Sequence, residues 1–212
     1  MALIGEVSRL EPPEALRFLR RYELLGDVGL GIWHWGLYEE RGLTSVVSFG
    51  TTGFSGHRGF IAEIGKVAHC GVVQLCRGAT TAFSHPHAAS YLVSRACQKM
   101  YHAKGPLIIV AYANPVLGEI GTIYQACNAI YTGMTNPKGQ ANYIVNNKLL
   151  SGWVVRKKFG TRDQSMLKKI DAGFKVIPLI PKHRYVMLAC SKLRKRKLLK
   201  LFESYKLPYP HR

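Results

Sequence analysis

Leu107 to Ala111 is an unbroken apolar run, entered through Gly105-Pro106 and followed by a chain break at Asn114-Pro115. It reads as a buried parallel strand, which must be covered on both faces and so calls for a sheet flanked by helices. Beyond Gly118, residues Ile120, Ile123, Tyr124, Cys127, Ile130 and Tyr131 recur at helical spacing and predict a helix over 119–131. Asn114, Glu119 and Tyr124 then fall where a strand ends and the next helix begins. Open α/β folds bind ligands there.

The remaining pattern fills in around this unit. Residues 13–25 read as a helix with Leu16, Leu19 and Tyr22 on one face. The stretch 26–36 reads as a turn leading into a strand, Leu43–Phe49 as a strand, 51–59 as a Gly-rich loop and Val72–Leu75 as an apolar strand. A helix over 88–104 is opened by Pro86, with Ser84 and His85 as caps, and closed by Gly105-Pro106. Ala141–Val145 and Ser151–Lys157 read as β segments around Asn146-Asn147, followed by a short helix near 163–172 and a strand at Tyr185–Cys190. The expectation is one domain over 1–190 and a basic extension over 191–212.

Charge speaks of partners. The formal net charge is +18, and residues 153–212 hold 17 Lys and Arg against 3 Asp and Glu. A field of that size points to nucleic acid, with Lys157, Lys158, Arg162, Arg194, Lys195, Arg196 and Lys197 as phosphate contacts. An anionic membrane or a merely solvated surface are the competing readings. Acids are scarce in the middle: only Glu63 and Glu119 occur between residues 42 and 152. A working carboxylate there is nearly forced to be one of the two.

No apolar run is long enough to span a bilayer, and the N-terminus lacks a signal-peptide pattern. Five cysteines without C-x-x-C spacing fit reduced thiols in a cytosol better than disulfides or zinc. His85-x-His87 has no third ligand at a useful spacing, so no metal is expected. Trp33, His34, Trp35 and Tyr38 form a strip that either packs in a sheet or stacks an extruded base.

The order strand (72–76), helix (86–104), strand (107–113), helix (119–131) is similar to that of the GCN5-related acyltransferase fold. That likeness implies an α/β, mixed sheet with splayed parallel strands and flanking helices. The stretch Tyr112-Ala113-Asn114-Pro115 through Gly118-Glu119, Gly121-Thr122-Ile123-Tyr124-Gln125-Ala126, Asn128, Ile130-Tyr131-Thr132-Gly133 resembles the signature of the phage-type Mom DNA-modification family. So do Gln74-Leu75-Cys76-Arg77, Ser90, Lys182-His183-Arg184-Tyr185 and Leu207-Pro208-Tyr209-Pro210. The resemblance implies transfer of a small, carbamoylmethyl-type group to the exocyclic amine of adenine in double-stranded DNA, protecting it from restriction. It also implies a phage-encoded or prophage-derived protein acting in the bacterial cytoplasm.

Carried over by position, it places Arg77, Ser90, Tyr112, Asn114, Glu119 and Tyr124 around the reaction site. Three positions depart from the family pattern: Asn114 stands for Asp, Glu119 for His, and Arg21-Tyr22 for His-Tyr. Tyr124 is placed to reprotonate a leaving group, or else packs in the core. Glu119 is placed to take the amine proton if partly buried, or else serves helix-start electrostatics. Ser84, His87, Ala88, Ala89 and Ser90 lie where the fold puts its pyrophosphate loop, which leaves an acyl-CoA-like donor open, although the loop lacks glycine. Two alternatives stand beside this reading: a CoA-dependent N-acetyltransferase on a small amine or protein, and a catalytically silent DNA-binding protein.

Overall fold

The computed structural model describes residues 4–23, 29, 31–51, 59–136 and 141–211. The expected 51–59 loop and the turn within 26–36 lie largely outside the described residues. Seven strands form the main sheet in the order β1-β2-β3-β4-β5-β10-β6. They are β1 (Glu6–Leu10), β2 (Gly31–Glu39), β3 (Gly42–Thr51), β4 (Gly71–Thr80), β5 (Leu107–Ala113), β6 (Ile130–Met134) and β10 (His183–Ala189). Every neighbouring pair is antiparallel except β4–β5.

That parallel pair is bonded only from Gly71↔Leu107 to Gln74↔Val110, after which β4 and β5 part while each stays paired on its outer side. The mixed sheet with splayed parallel strands is the architecture that the acyltransferase resemblance implies. Alternation along the strands sorts the core into two layers. Leu107, Ile109, Ala111, Tyr185 and Met187 face α3 (Ala88–Lys104), whose Leu92, Ala96 and Met100 fill one side. Ile108, Val110 and Val186 face α2 (Phe60–Val67) and α7 (Lys192–Phe202) on the other. On that same face, α1 (Pro12–Tyr22) packs Ala15, Phe18 and Leu19 against Leu10 and Val46. Tyr38 of β2 donates to Glu14 Oε1 at 2.6 Å, tying α1 to the sheet, and the carboxylate beside it pushes the phenol up to about 12.

The C-terminal stretch is packed on this body. Leu198 and Phe202 of α7 are 0% and 1% exposed. Leu207 N donates to Tyr131 O at 2.9 Å, and Tyr209 Oη to Ala129 O at 2.7 Å, closing over β6.

Two expected elements differ. The 119–131 helix is only α4 (Thr122–Ala126), because Asn128 takes a left-handed conformation (φ 54°) and turns the chain into β6. Ile130 and Tyr131 therefore pair with β10 rather than continuing a helical face. The expected 151–157 strand is mostly helix: β8 (Lys148–Ser151) ends where α5 (Gly152–Phe159) begins. With β7 (Ala141–Val145), α6 (Gln164–Ile170) and β9 (Lys175–Pro178) these elements make a separate lobe, a three-stranded sheet in the order β8-β7-β9. Its own core is Tyr143, Val145, Val155, Leu167 and Phe174. The lobe is inserted between β6 and β10. Its neck is closed by Thr135 N to Lys182 O at 2.8 Å and Lys182 N to Thr135 Oγ1 at 2.9 Å.

Candidate active site

The parting of β4 and β5 leaves a cavity on each face of the sheet. On the α3 face a cleft of about 470 Å³ runs from Gly78, Ala79 and Thr80 past Ala89, Leu92 and Val93 to Ala113, Glu119 and Tyr124. On the other face a cavity of about 540 Å³ is lined by Gln74, Tyr112, Asn114, Asn142, Lys182 and Arg184, with the inserted lobe as one wall. The turn after β5 borders both: Asn114 and Val116 line one, Leu117 to Glu119 the other.

Asn114 Oδ1 accepts from Val116 N at 3.2 Å, opening a single 3-10 turn (Pro115–Leu117) that Gly118 ends in a left-handed conformation. Glu119 Oε2 accepts from Asn114 N at 2.7 Å, so the carboxylate pins the turn from outside. Its side chain is exposed, and the partial burial invoked for a base is absent. Gly121 is also left-handed. A Cβ there would lie 2.3 Å from the Tyr185 ring, so only glycine lets this backbone lie flat on Tyr185. Tyr185 Oη and Gln125 Nε2 both donate to Ile120 O, locking α4 in place.

Tyr124 stands half-buried on α4, its ring 5.4 Å from that of Tyr185. Among the described residues its hydroxyl has no hydrogen-bond partner, and it faces the cleft. Burial first, then the nearby Glu119 charge, pushes its pKa upward.

The other sequence-derived positions are spread more widely. Arg77 follows a bulge at Cys76, pairs opposite Ser48 on the α1 face, and lies 3.8 Å from Glu23. It lines neither cavity. Tyr112 lines the far cavity, its pKa raised by burial and eased down by Arg184. Of the expected donor loop, Ser84 Oγ is spent on Thr81 O at 2.8 Å and His87, not Ser84 or His85, takes the cap position without a side-chain bond. Ala88 is fully buried in the core and its amide is bonded to His85 O. The Ala89 and Ser90 amides keep no backbone partner among the described residues, while Ser90 Oγ donates to His87 O. The His85 amide, however, is taken by Glu39 Oε1 at 2.9 Å. A carboxylate in that position repels a diphosphate, so the loop does not fit the pyrophosphate of coenzyme A.

His85 Nδ1 accepts from the His87 amide, and no group of three or more metal-binding side chains occurs among the described residues. Trp35 and His34 of the aromatic strip are buried in β2, with His34 Nδ1 at 2.8 Å from Ser48 Oγ, so those two pack in the sheet. Lys157, Lys158 and Arg162 are exposed on the lobe and Lys195, Arg196 and Lys197 on α7, whereas Arg194 is half-buried beside Cys70. No helix among the described residues is long and apolar enough to cross a membrane. Gln74, Thr132 and Arg184 stand within the motifs quoted from the sequence, which assign them no individual role. The signal for Arg184 was the alternation of β10, which sets it opposite Tyr112 on the α2 face.

Among solved structures, the chain is similar to spermidine/spermine N-acetyltransferase SpeG from Vibrio cholerae, at 11% identity and a TM-score of 0.44 over 90% of this chain and 95% of that one. It is also similar to the ribosomal-protein-S5-alanine acetyltransferase of Vibrio fischeri, at 9% identity and a TM-score of 0.43 over 89% and 95%. No curated protein matches. The Mom protein family matches residues 6–211, nearly the whole chain with the splayed strands and both cavities, and the chain belongs to that family.

Proposed function

We propose that this chain is a transferase that adds a small acyl-derived group, of carbamoylmethyl type, to the exocyclic amine of adenine in double-stranded DNA, and so shields the DNA from restriction. The observation that carries the reading is the pair of cavities on opposite faces of the splayed strands, sharing one turn. A donor on the α3 face and an acceptor on the other would approach each other through the gap. The family and the charge of +18 support nucleic acid as the acceptor.

In the transfer, the adenine amine attacks the electrophilic carbon of the donor and loses one proton while the leaving group gains one. Glu119, the one carboxylate lining the cleft among the described residues, is assigned the amine proton; exposed as it is, it needs no added basicity, because the attacking amine turns strongly acidic as the new C–N bond forms. Tyr124, whose neutral phenol lines the same cleft, is assigned the leaving group. The test is nucleoside mass spectrometry of plasmid DNA from bacteria expressing the chain, with digestion by enzymes whose sites contain adenine. A heavier deoxyadenosine and resistance to cutting are expected. Unmodified adenine from a folded, DNA-bound protein would replace this reading with that of a silent DNA-binding protein.

A further inference from the structure

The cavity on the α2 face contains a cation, Arg184, that has no counter-charge among the described residues. Arg184 Nε donates to Thr132 Oγ1 at 2.9 Å and Nη2 to Thr132 O at 3.0 Å. Its guanidinium lies 4.8 Å from the centre of the Phe60 ring, and Phe60 stacks on Tyr205 at 4.1 Å. Two of the five guanidinium donors are used to fix the group, and the others remain for a ligand. The side chain is half-buried, and no carboxylate pairs with it among the described residues. Among those residues none lines the cavity either. A guanidinium drawn out of water without an anion is costly, so the arrangement is explained by an anion that arrives with the ligand. Lys182 adds a second positive charge at the same cavity.

The rest of the lining is chosen differently. Gln74 from β4 and Asn142 from the lobe bring carboxamides, Asn114 from the turn adds one whose nitrogen is left to donate while its Oδ1 accepts from Val116 N, and Tyr112 brings an aromatic ring. Carboxamides offer a donor and an acceptor side by side, the pattern that matches the adenine edge. A volume of about 540 Å³ suits one nucleotide.

We infer that this cavity, closed by the inserted lobe, is a binding site for a single adenine nucleotide, with Arg184 and Lys182 holding its phosphate and the carboxamides of Gln74, Asn114 and Asn142 facing its base. The inference rests on the transfer reading for the origin of the nucleotide, a residue turned out of the DNA duplex. The lobe carries eight Lys and Arg against two Asp over residues 141–178, which suits it to lie along the flanking phosphates.

The experiment is calorimetric titration of the full chain with deoxyadenosine 5′-monophosphate, deoxyadenosine and inorganic phosphate. The nucleotide should bind about tenfold or more tightly than either fragment, and Arg184→Gln should reduce it to the level of the nucleoside, with Arg184→Lys in between. Equal affinity for nucleotide and nucleoside, or for nucleotide and inorganic phosphate, overturns the assignment, as does an Arg184→Gln protein that binds like the parent. If thermal melting shows Arg184→Gln unfolded, Lys182→Gln and Gln74→Leu take its place; weakened nucleotide binding by both is expected, and unchanged binding overturns the site. Plasmid modification is scored separately. A chain that modifies DNA without Arg184-dependent nucleotide binding loses this pocket alone. One that binds the nucleotide through Arg184 and leaves adenine unmodified loses the transfer reading alone.

Discussion

Tyr124 and Glu119 share a cleft but differ in what holds them. The Tyr124 hydroxyl has no partner among the described residues, so Tyr124→Phe should change stability by no more than about 0.5 kcal/mol in a denaturant titration. Turnover should fall by about 10²-fold, the scale of a lost acid–base group. A fully active Phe variant would return the residue to core packing. Glu119→Gln keeps an oxygen for the Asn114 amide, so the turn should survive and a comparable loss of turnover would isolate the charge. His34, 2% exposed, titrates in the opposite sense to a paired histidine. Burial, then Arg9, against a smaller pull from Glu11, lowers its pKa below 6.5. The unfolded chain therefore binds the extra proton first. Stability is complete above about pH 6.5 and is lost as pH falls below it, at up to about 1.4 kcal/mol per pH unit. Urea titrations at pH 7.5 and 5.5 should show a drop that is smaller in His34→Gln; equal drops would clear His34.

Elements were legible where sequence pattern and burial agree. The 107–113 strand, the 88–104 helix and the Asn146-Asn147 turn follow from an apolar run, from Gly105-Pro106 and from residues that tolerate positive φ (50° and 58°). The 119–131 helix fails because its apolar spacing satisfies two elements in succession, Ile123 and Tyr124 on α4, with Ile120 before it and Cys127 at its cap, and then Ile130 and Tyr131 on β6, with only Asn128 to mark the change. α5 was misread because Trp153, Val154 and Val155 favour strand locally, while Val155 is fully buried in the lobe core from a helix. The site fared similarly. Among residues quoted in the motif, Glu119 and Tyr124 come to line one cleft, as their spacing suggested, whereas the place of Arg184 on the α2 face follows only from the cross-strand register. α7 joins two roles that sequence treats as one basic run. Leu198→Ala should cost about 2–5 kcal/mol in thermal or chemical unfolding. Replacing the exposed Lys195, Arg196 and Lys197 with Gln should leave stability near the parent's while lowering DNA affinity and flattening its dependence on salt. Unchanged salt dependence would remove α7 from the DNA contacts.

At the scale of the whole molecule, charge and cavity fall on two bodies, a sheet that carries the groups proposed to react and an inserted lobe that is basic and walls one cavity. The parting of β4 and β5 has a further consequence for the sheet itself. An open sheet has two edges, but beyond Gln74 and Val110 this one has four, because two inner strands each lose a neighbour. Backbone groups of Leu75 to Ala79 and of Ala111 to Ala113 that face the gap therefore have no strand to pair with there, although they lie at the centre of the fold. In deuterium exchange these central amides should label earlier than the fully paired amides of Ile108 and Ile109, and ligands that enter the gap should slow them first. The most interior part of the protein is thus also where its backbone is most readily addressed.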